Sequence, residues 1–184
     1  YGNTGIAVLH FDASGERLLS ATAGPTKVWD PATGKLVKSL NGPQKMVRTG
    51  SFSPQGESIV TGEFQQGSIC FHDAKTMEIR TTLYRTNGIR SLTFSPSGSH
   101  LAVVEKNGMV SIVDARNFSE VYTFKPNHQA VSVRAPWSPK GELLALNDTK
   151  TSRVEIWDIP GRRSLYTITD AEGFGVAWNR DGTR

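Results

Sequence analysis

Short apolar runs of four to eight residues follow one another along the whole chain, each closed by a break rich in Gly, Pro, Ser, Asn or Asp. Runs of this length, enriched in β-branched and aromatic residues, predict β-strands, and the breaks predict tight turns. No stretch sustains a helical period. The predicted strands fall into sets of four: 4–11, 17–22, 26–29 and 36–40; 47–53, 58–61, 68–71 and 79–84; 89–95, 101–104, 109–113 and 121–124; 131–137, 143–146, 154–157 and 165–169. A last strand is expected at 174–178. Several of these runs are apolar at consecutive positions, as in Ile6-Ala7-Val8-Leu9 and Leu143-Leu144-Ala145-Leu146. A strand with one wet face alternates apolar and polar residues, so these runs are expected to be buried on both faces, as in small sheets stacked on one another.

The sets are copies of one unit. Its signature is Phe94-Ser95-Pro96-Ser97-Gly98, followed some twenty residues later by Ile112-Val113-Asp114. The same pair occurs as Phe52-Ser53-Pro54-Gln55-Gly56 with Phe71-His72-Asp73, and as Trp137-Ser138-Pro139-Lys140-Gly141 with Ile156-Trp157-Asp158. A looser copy, Phe11-Asp12-Ala13-Ser14-Gly15 with Val28-Trp29-Asp30, stands near the start, and Trp178-Asn179-Arg180-Asp181-Gly182 stands alone near the end. The leading aromatics sit at 11, 52, 94, 137 and 178, a period of 41 to 43 residues. Within each unit the strands are tied by turns with a mechanism: in Asp30-Pro31-Ala32-Thr33-Gly34, Asp can bond its own backbone, Pro fixes φ and Gly accepts a positive φ. Four short strands joined this way form an antiparallel meander, and meanders stacked at a period in the forties are propeller blades.

On these residues the chain resembles the WD40-repeat family over nearly its whole length. The Phe-Ser-Pro-x-Gly phrase is similar to the end of that family's innermost strand and the turn after it, and Trp29-Asp30 and Trp157-Asp158 are similar to its eponymous dipeptide. The resemblance implies an all-β, WD40-type β-propeller: four four-stranded antiparallel blades plus one strand of a fifth, with repeats at about 4–40, 45–84, 88–124, 130–169 and 174–184. It also implies a rigid platform for other macromolecules rather than an enzyme. The family's Gly-His pair is missing from every repeat, its place taken by Asn3-Thr4-Gly5, Gly42-Pro43-Gln44, Thr86-Asn87-Gly88 and Asn127-His128. The aspartate expected before the third strand is absent from the first three repeats, with Asp148 the nearest equivalent in the fourth. The family's His-Ser/Thr-Trp-Asp network is therefore not expected in its usual form, and packing is expected to carry more of the stability. Four blades and a strand do not close a seven- or eight-bladed ring, so the remaining blades are expected from the same longer chain or from a second copy.

Composition adds limits. The 37% hydrophobic and 21% charged residues are ordinary for a globular protein, and the net charge of +4 comes without any run of like charges. No apolar stretch reaches the roughly 18 residues of a membrane helix, so no membrane partner is expected, and the single Cys70 excludes an internal disulfide. Cys70 lies in an apolar run and reads as a small buried hydrophobe. A reducing, cytoplasmic location is the expectation. No P-loop, dinucleotide fingerprint, nucleophile elbow or zinc motif occurs, and no cofactor or metal is expected. His10, His72 and His100 share no register, and Asp30, Asp73, Asp114 and Asp158 each begin a turn, which reads as capping rather than a carboxylate ring. Phe11, Phe52, Phe94, Trp137 and Trp178 read as core between blades.

One pattern points to binding. Arg48 and Arg90 lie four residues before their phrase's aromatic and Arg134 three before, near the channel mouth by resemblance. Lys45, Arg85 and His128 lie in or near the adjoining connections. A basic cluster there can grip an acidic peptide or a phosphate backbone. The expectation is a non-catalytic scaffold that binds a protein or peptide on one face within a larger assembly. The alternatives are an RNA- or DNA-associated module using the basic face and a non-catalytic domain of a larger enzyme.

Overall fold

A computed structural model describes residues 8–21, 24–42, 46–127, 135–148, 151–171 and 176–182. Among them the regular elements are all β-strands, and they divide into two compact units, 1–92 and 93–184. In the first unit β1 (Val8–Phe11), β2 (Leu18–Ala21), β3 (Lys27–Trp29) and β4 (Leu36–Ser39) form one sheet in sequential order. A second sheet follows with β5 (Val47–Phe52), β6 (Ser58–Glu63), β7 (Ser68–Asp73) and β8 (Ile79–Tyr84). The boundary between units falls inside β9 (Ile89–Phe94), which forms a third sheet with β10 (His100–Glu105), β11 (Val110–Asp114) and β12 (Glu120–Phe124). In the second unit β13 (Leu143–Asp148), β14 (Arg153–Asp158) and β15 (Arg163–Ile168) make a three-stranded sheet, extended by an isolated bridge from Trp137 to Leu144. Of the strand expected at 131–137, residues 131–134 lie outside the described residues and the rest contributes only that bridge. Of the strand expected at 174–178, Val176 to Trp178 are not in a strand, and residues 174 and 175 lie outside the described residues.

The repeated phrase earns its residues in the first turn of each unit. Its glycine takes a positive φ in every copy: 75° at Gly15, 72° at Gly56, 68° at Gly98, 74° at Gly141 and 71° at Gly182. The residue after the leading aromatic closes the same turn with its side chain. Ser53 Oγ accepts from Ser58 N at 3.1 Å, Ser95 Oγ from His100 N at 3.1 Å and Ser138 Oγ from Leu143 N at 3.0 Å. Asp12 does the same for Arg17 N at 3.2 Å, which explains its place in the looser copy. These bonds fix the strand register, because a one-residue slip would turn every apolar side chain outward.

Sheets stack through apolar faces inside each unit. Leu19 and Val28 of the first sheet meet Phe52 and Ile59 of the second, all 2% exposed or less. In the second unit Ala102, Val104, Val110 and Ile112 pack with Trp137, Leu144, Leu146 and Trp157. Each fully buried aliphatic or Phe side chain contributes roughly 1.5–3 kcal/mol. Two expectations need correction. Phe11 is 54% exposed and Leu9 56%, so the first copy of the leading aromatic is not core and this strand is not buried on both faces. The reason is geometric: one face of the first sheet packs on the second, and Leu9 and Phe11 lie on the other, where no further described sheet of that unit packs.

Candidate functional site

The site begins with a glycine that lets two strands approach. A Cβ on Gly62 would stand 2.7 Å from Thr49, 2.8 Å from Leu92 and 2.9 Å from Ile89, closer than packed atoms allow. Without one, β9 lies against β5 and β6, and Leu92 N donates to Thr49 Oγ1 at 3.0 Å. The register of β5 against β6 shifts between Val47 and Thr49. Arg48 is the extra residue of that bulge, which leaves its side chain exposed on a strand whose other residues are buried.

The turn from β6 to β7 supplies the third part. Glu63, 2% exposed, accepts backbone N–H bonds from Gln65 at 3.0 Å and from Gln66, so its charge is taken up locally. Phe64 N donates to Met46 O at 2.9 Å, which ties the turn down. Gly67 completes it with φ 79°, and a Cβ there would collide with the carbonyl oxygens of Arg85 and Asn87. Arg85 N in turn donates to Gly67 O at 3.0 Å.

Both arginines end on the aromatic this turn presents. The Arg48 guanidinium lies 4.5 Å from the Phe64 ring centroid and the Arg90 guanidinium 5.9 Å. Each is within cation–π range, and the shared ring holds two like charges side by side. Neither makes an ion pair or hydrogen bond among the described residues, and Arg90 Nε is buried without a hydrogen-bond partner. Two guanidiniums held on one ring, one exposed and one half-buried, present planar donor edges of the kind that match carboxylate or phosphate oxygens. Of the six residues read from sequence, Arg48, Arg85 and Arg90 thus meet around one turn, whereas Lys45, His128 and Arg134 lie outside the described residues. Phe64 was not anticipated. Its signal is that it is the aromatic in a turn whose counterparts read Ala23-Gly24-Pro25 and Lys106-Asn107-Gly108.

The other groups weighed for chemistry serve the scaffold. Asp30, Asp73, Asp114 and Asp158 each accept a backbone N–H in their turn, from Ala32 at 2.8 Å, Lys75 at 2.9 Å, Arg116 at 2.8 Å and Gly161 at 3.0 Å. Hydrogen bonds from Thr33 and from the Arg116 amide hold the Asp30 and Asp114 carboxyls below the usual carboxylate range. Cys70 is buried, and burial pushes its thiol up, away from the reactive thiolate. No group of three His, Cys, Asp or Glu side chains is placed to hold a metal ion among the described residues. Nor is any helix among them long and apolar enough to cross a membrane. Part of the repeat's internal polar network does form: Trp29 Nε1 donates to Ser20 Oγ at 2.8 Å, and in the next repeat His72 Nε2 lies 3.4 Å from Thr61 Oγ1 in the same register.

Small antiparallel sheets repeated at this period, each opening on the same turn, define a β-propeller. The β-propeller domain of Cps50 (Swd1) from Myceliophteria thermophila superposes with a TM-score of 0.82 at 19% identity, covering 99% of this chain and 61% of that one. Residues 82–135 match the family described as the anaphase-promoting complex subunit 4 WD40 domain. THO complex subunit 3 of Arabidopsis thaliana is 23% identical over 164 residues, 86% of this chain and 51% of that protein. WD repeat-containing protein SL1-17 of Schistosoma mansoni is 27% identical over 133 residues, 72% of this chain and 43% of that protein. The chain thus spans about half the length of these curated relatives. The family model, the WD-repeat relative and the propeller neighbour together support a place in the WD40-repeat family.

Proposed function

We propose that the chain is a non-catalytic scaffold that holds a protein or peptide partner within a larger assembly, and that the face built from Arg48, Phe64 and Arg90 grips acidic side chains of that partner. The observation that carries this reading is the convergence of two unpaired guanidiniums on one aromatic ring. Such a pair offers planar donor edges that match carboxylates. Relatives whose names place them in assemblies, such as THO complex subunit 3, support the scaffold half of the proposal. Lys45, Arg85, His128 and Arg134 extend the basic face by sequence position. A nucleic-acid partner would use the same chemistry, but tracking a phosphate backbone calls for a longer run of basic and stacking positions than one turn provides.

The test is co-purification of the intact protein from its own lysate, with and without nuclease, beside an Arg48→Glu/Arg90→Glu variant. Protein partners that survive nuclease and are lost with the variant are the expected result. Partners released by nuclease would move the phosphate reading to the front, and an unchanged variant would place the binding face elsewhere.

A further inference from the structure

A second feature of the first unit is independent of the arginine face. A cavity of about 330 Å³ is lined by Thr26, Leu40, Val47, Thr61 and His72, with Pro25 at its wall. That volume falls in the range of pockets that take small organic groups. Thr26 and His72 are 3% and 1% exposed, and Thr26 Oγ1 and His72 Nδ1 are both buried without a hydrogen-bond partner. Buried polar atoms are nearly always paired, so two orphans lining one cavity mark a place where partners are supplied from outside. Among the described residues the cavity lining includes no Lys, Arg, Asp or Glu, and burial pushes the His72 imidazole down to about 4, leaving it neutral at neutral pH. A charged ligand would lose its hydration here without a counter-charge.

His72 occupies the register held by Trp29 and Trp157 in other repeats, and its smaller ring spends Nε2 on Thr61 at 3.4 Å while Nδ1 is left over. Leu40 and Val47 add an apolar wall able to take a short methylene stem.

We propose that this cavity is a binding site for a primary carboxamide on a short aliphatic stem, such as a glutamine side chain presented by a protein partner. The carboxamide carries a donor and an acceptor on one neutral planar head, which is what a hydroxyl and a neutral imidazole nitrogen require. Delivery by a partner rests on the scaffold reading above; the capacity of the cavity for the group does not, and a free probe tests it alone.

The probe is N-acetylglutamine amide, followed by ligand-detected saturation-transfer NMR on the intact protein, with N-acetylglutamate amide as the charged isostere. Saturable binding at millimolar concentration is expected, at least tenfold weaker for the charged isostere. Thr26→Val, which keeps the shape and removes the hydroxyl, is expected to weaken the probe roughly fivefold, the factor for one neutral hydrogen bond. His72→Trp, which fills the cavity with the residue used at Trp29 and Trp157, is expected to abolish binding. Should that variant fail to fold, Thr26→Val decides alone. The proposal is overturned if the probe shows no saturable signal, so that the cavity takes water only, if the charged isostere binds as well, or if Thr26→Val leaves affinity unchanged.

Discussion

Gly62 and His72 show how single residues set this molecule's properties. At Gly62 even one methyl would stand under 3.0 Å from Thr49, Leu92 and Ile89, all in a well-packed region. Gly62→Ala is therefore expected to cost about 1–3 kcal/mol, the range for overpacking, and to push β9 away from β5. Denaturant unfolding reads the first effect, and a drop in affinity for an acidic peptide reads the second, since Arg90 rides on β9. His72 governs a pH response. Burial lowers its imidazole from 6.5 to about 4, so the unfolded chain takes up a proton that the native state refuses until much lower pH. Stability is then complete above 6.5, falls as the pH drops towards 4, and flattens below, with a total change on the order of 3 kcal/mol. Thermal melts of the native protein and His72→Phe across that window should diverge, the variant losing the slope. Parallel curves would show that His72 is protonated as readily in the native state as in the unfolded one.

Strands and turns were the most legible elements, because each rests on local chemistry. The strand ends expected from the apolar runs agree with β5, β8 and β9 to within a residue, and the four turn aspartates cap as their register implied. Four residues after Asp30, Asp73, Asp114 and Asp158 stand Gly34, Met77, Phe118 and Arg162, all at positive φ between 52° and 69°. Only the first of these is a glycine, so the αL position was hidden in three of the four turns. Asp114→Ala is expected to lower the melting temperature at neutral pH and to have little effect at pH values below the folded carboxyl's own. Its depressed pKa means the stabilisation is present above the ordinary carboxylate value of 3.8 and is lost as the pH falls through the folded value. What the sequence concealed is long-range. Phe11 and Phe52 look alike in their phrases, yet one is 54% exposed and the other 2%, because exposure depends on which sheet packs against which face. Phe64 was overlooked for a related reason: its role comes from Arg48, sixteen residues before it, and Arg90, twenty-six after it, and no local pattern joins them.

At the scale of the molecule, rigid sheets hold a few side chains in geometries that loops alone would not keep. Glu63 and Gly67 fix the turn that carries Phe64, the bulge turns Arg48 outward, and Gly62 admits the strand that carries Arg90. The anion recognition proposed for this face rests on these fixed positions. The most direct measurement is the salt dependence of binding of a fluorescent Glu-rich peptide to the intact protein, beside Arg48→Gln/Arg90→Gln and Phe64→Ala. Binding should weaken steeply with salt for the native protein. It should weaken at least tenfold in the double arginine variant, and severalfold in Phe64→Ala, where both guanidiniums lose the ring that orients them. Equal affinities and equal salt slopes in all three proteins would contradict the account.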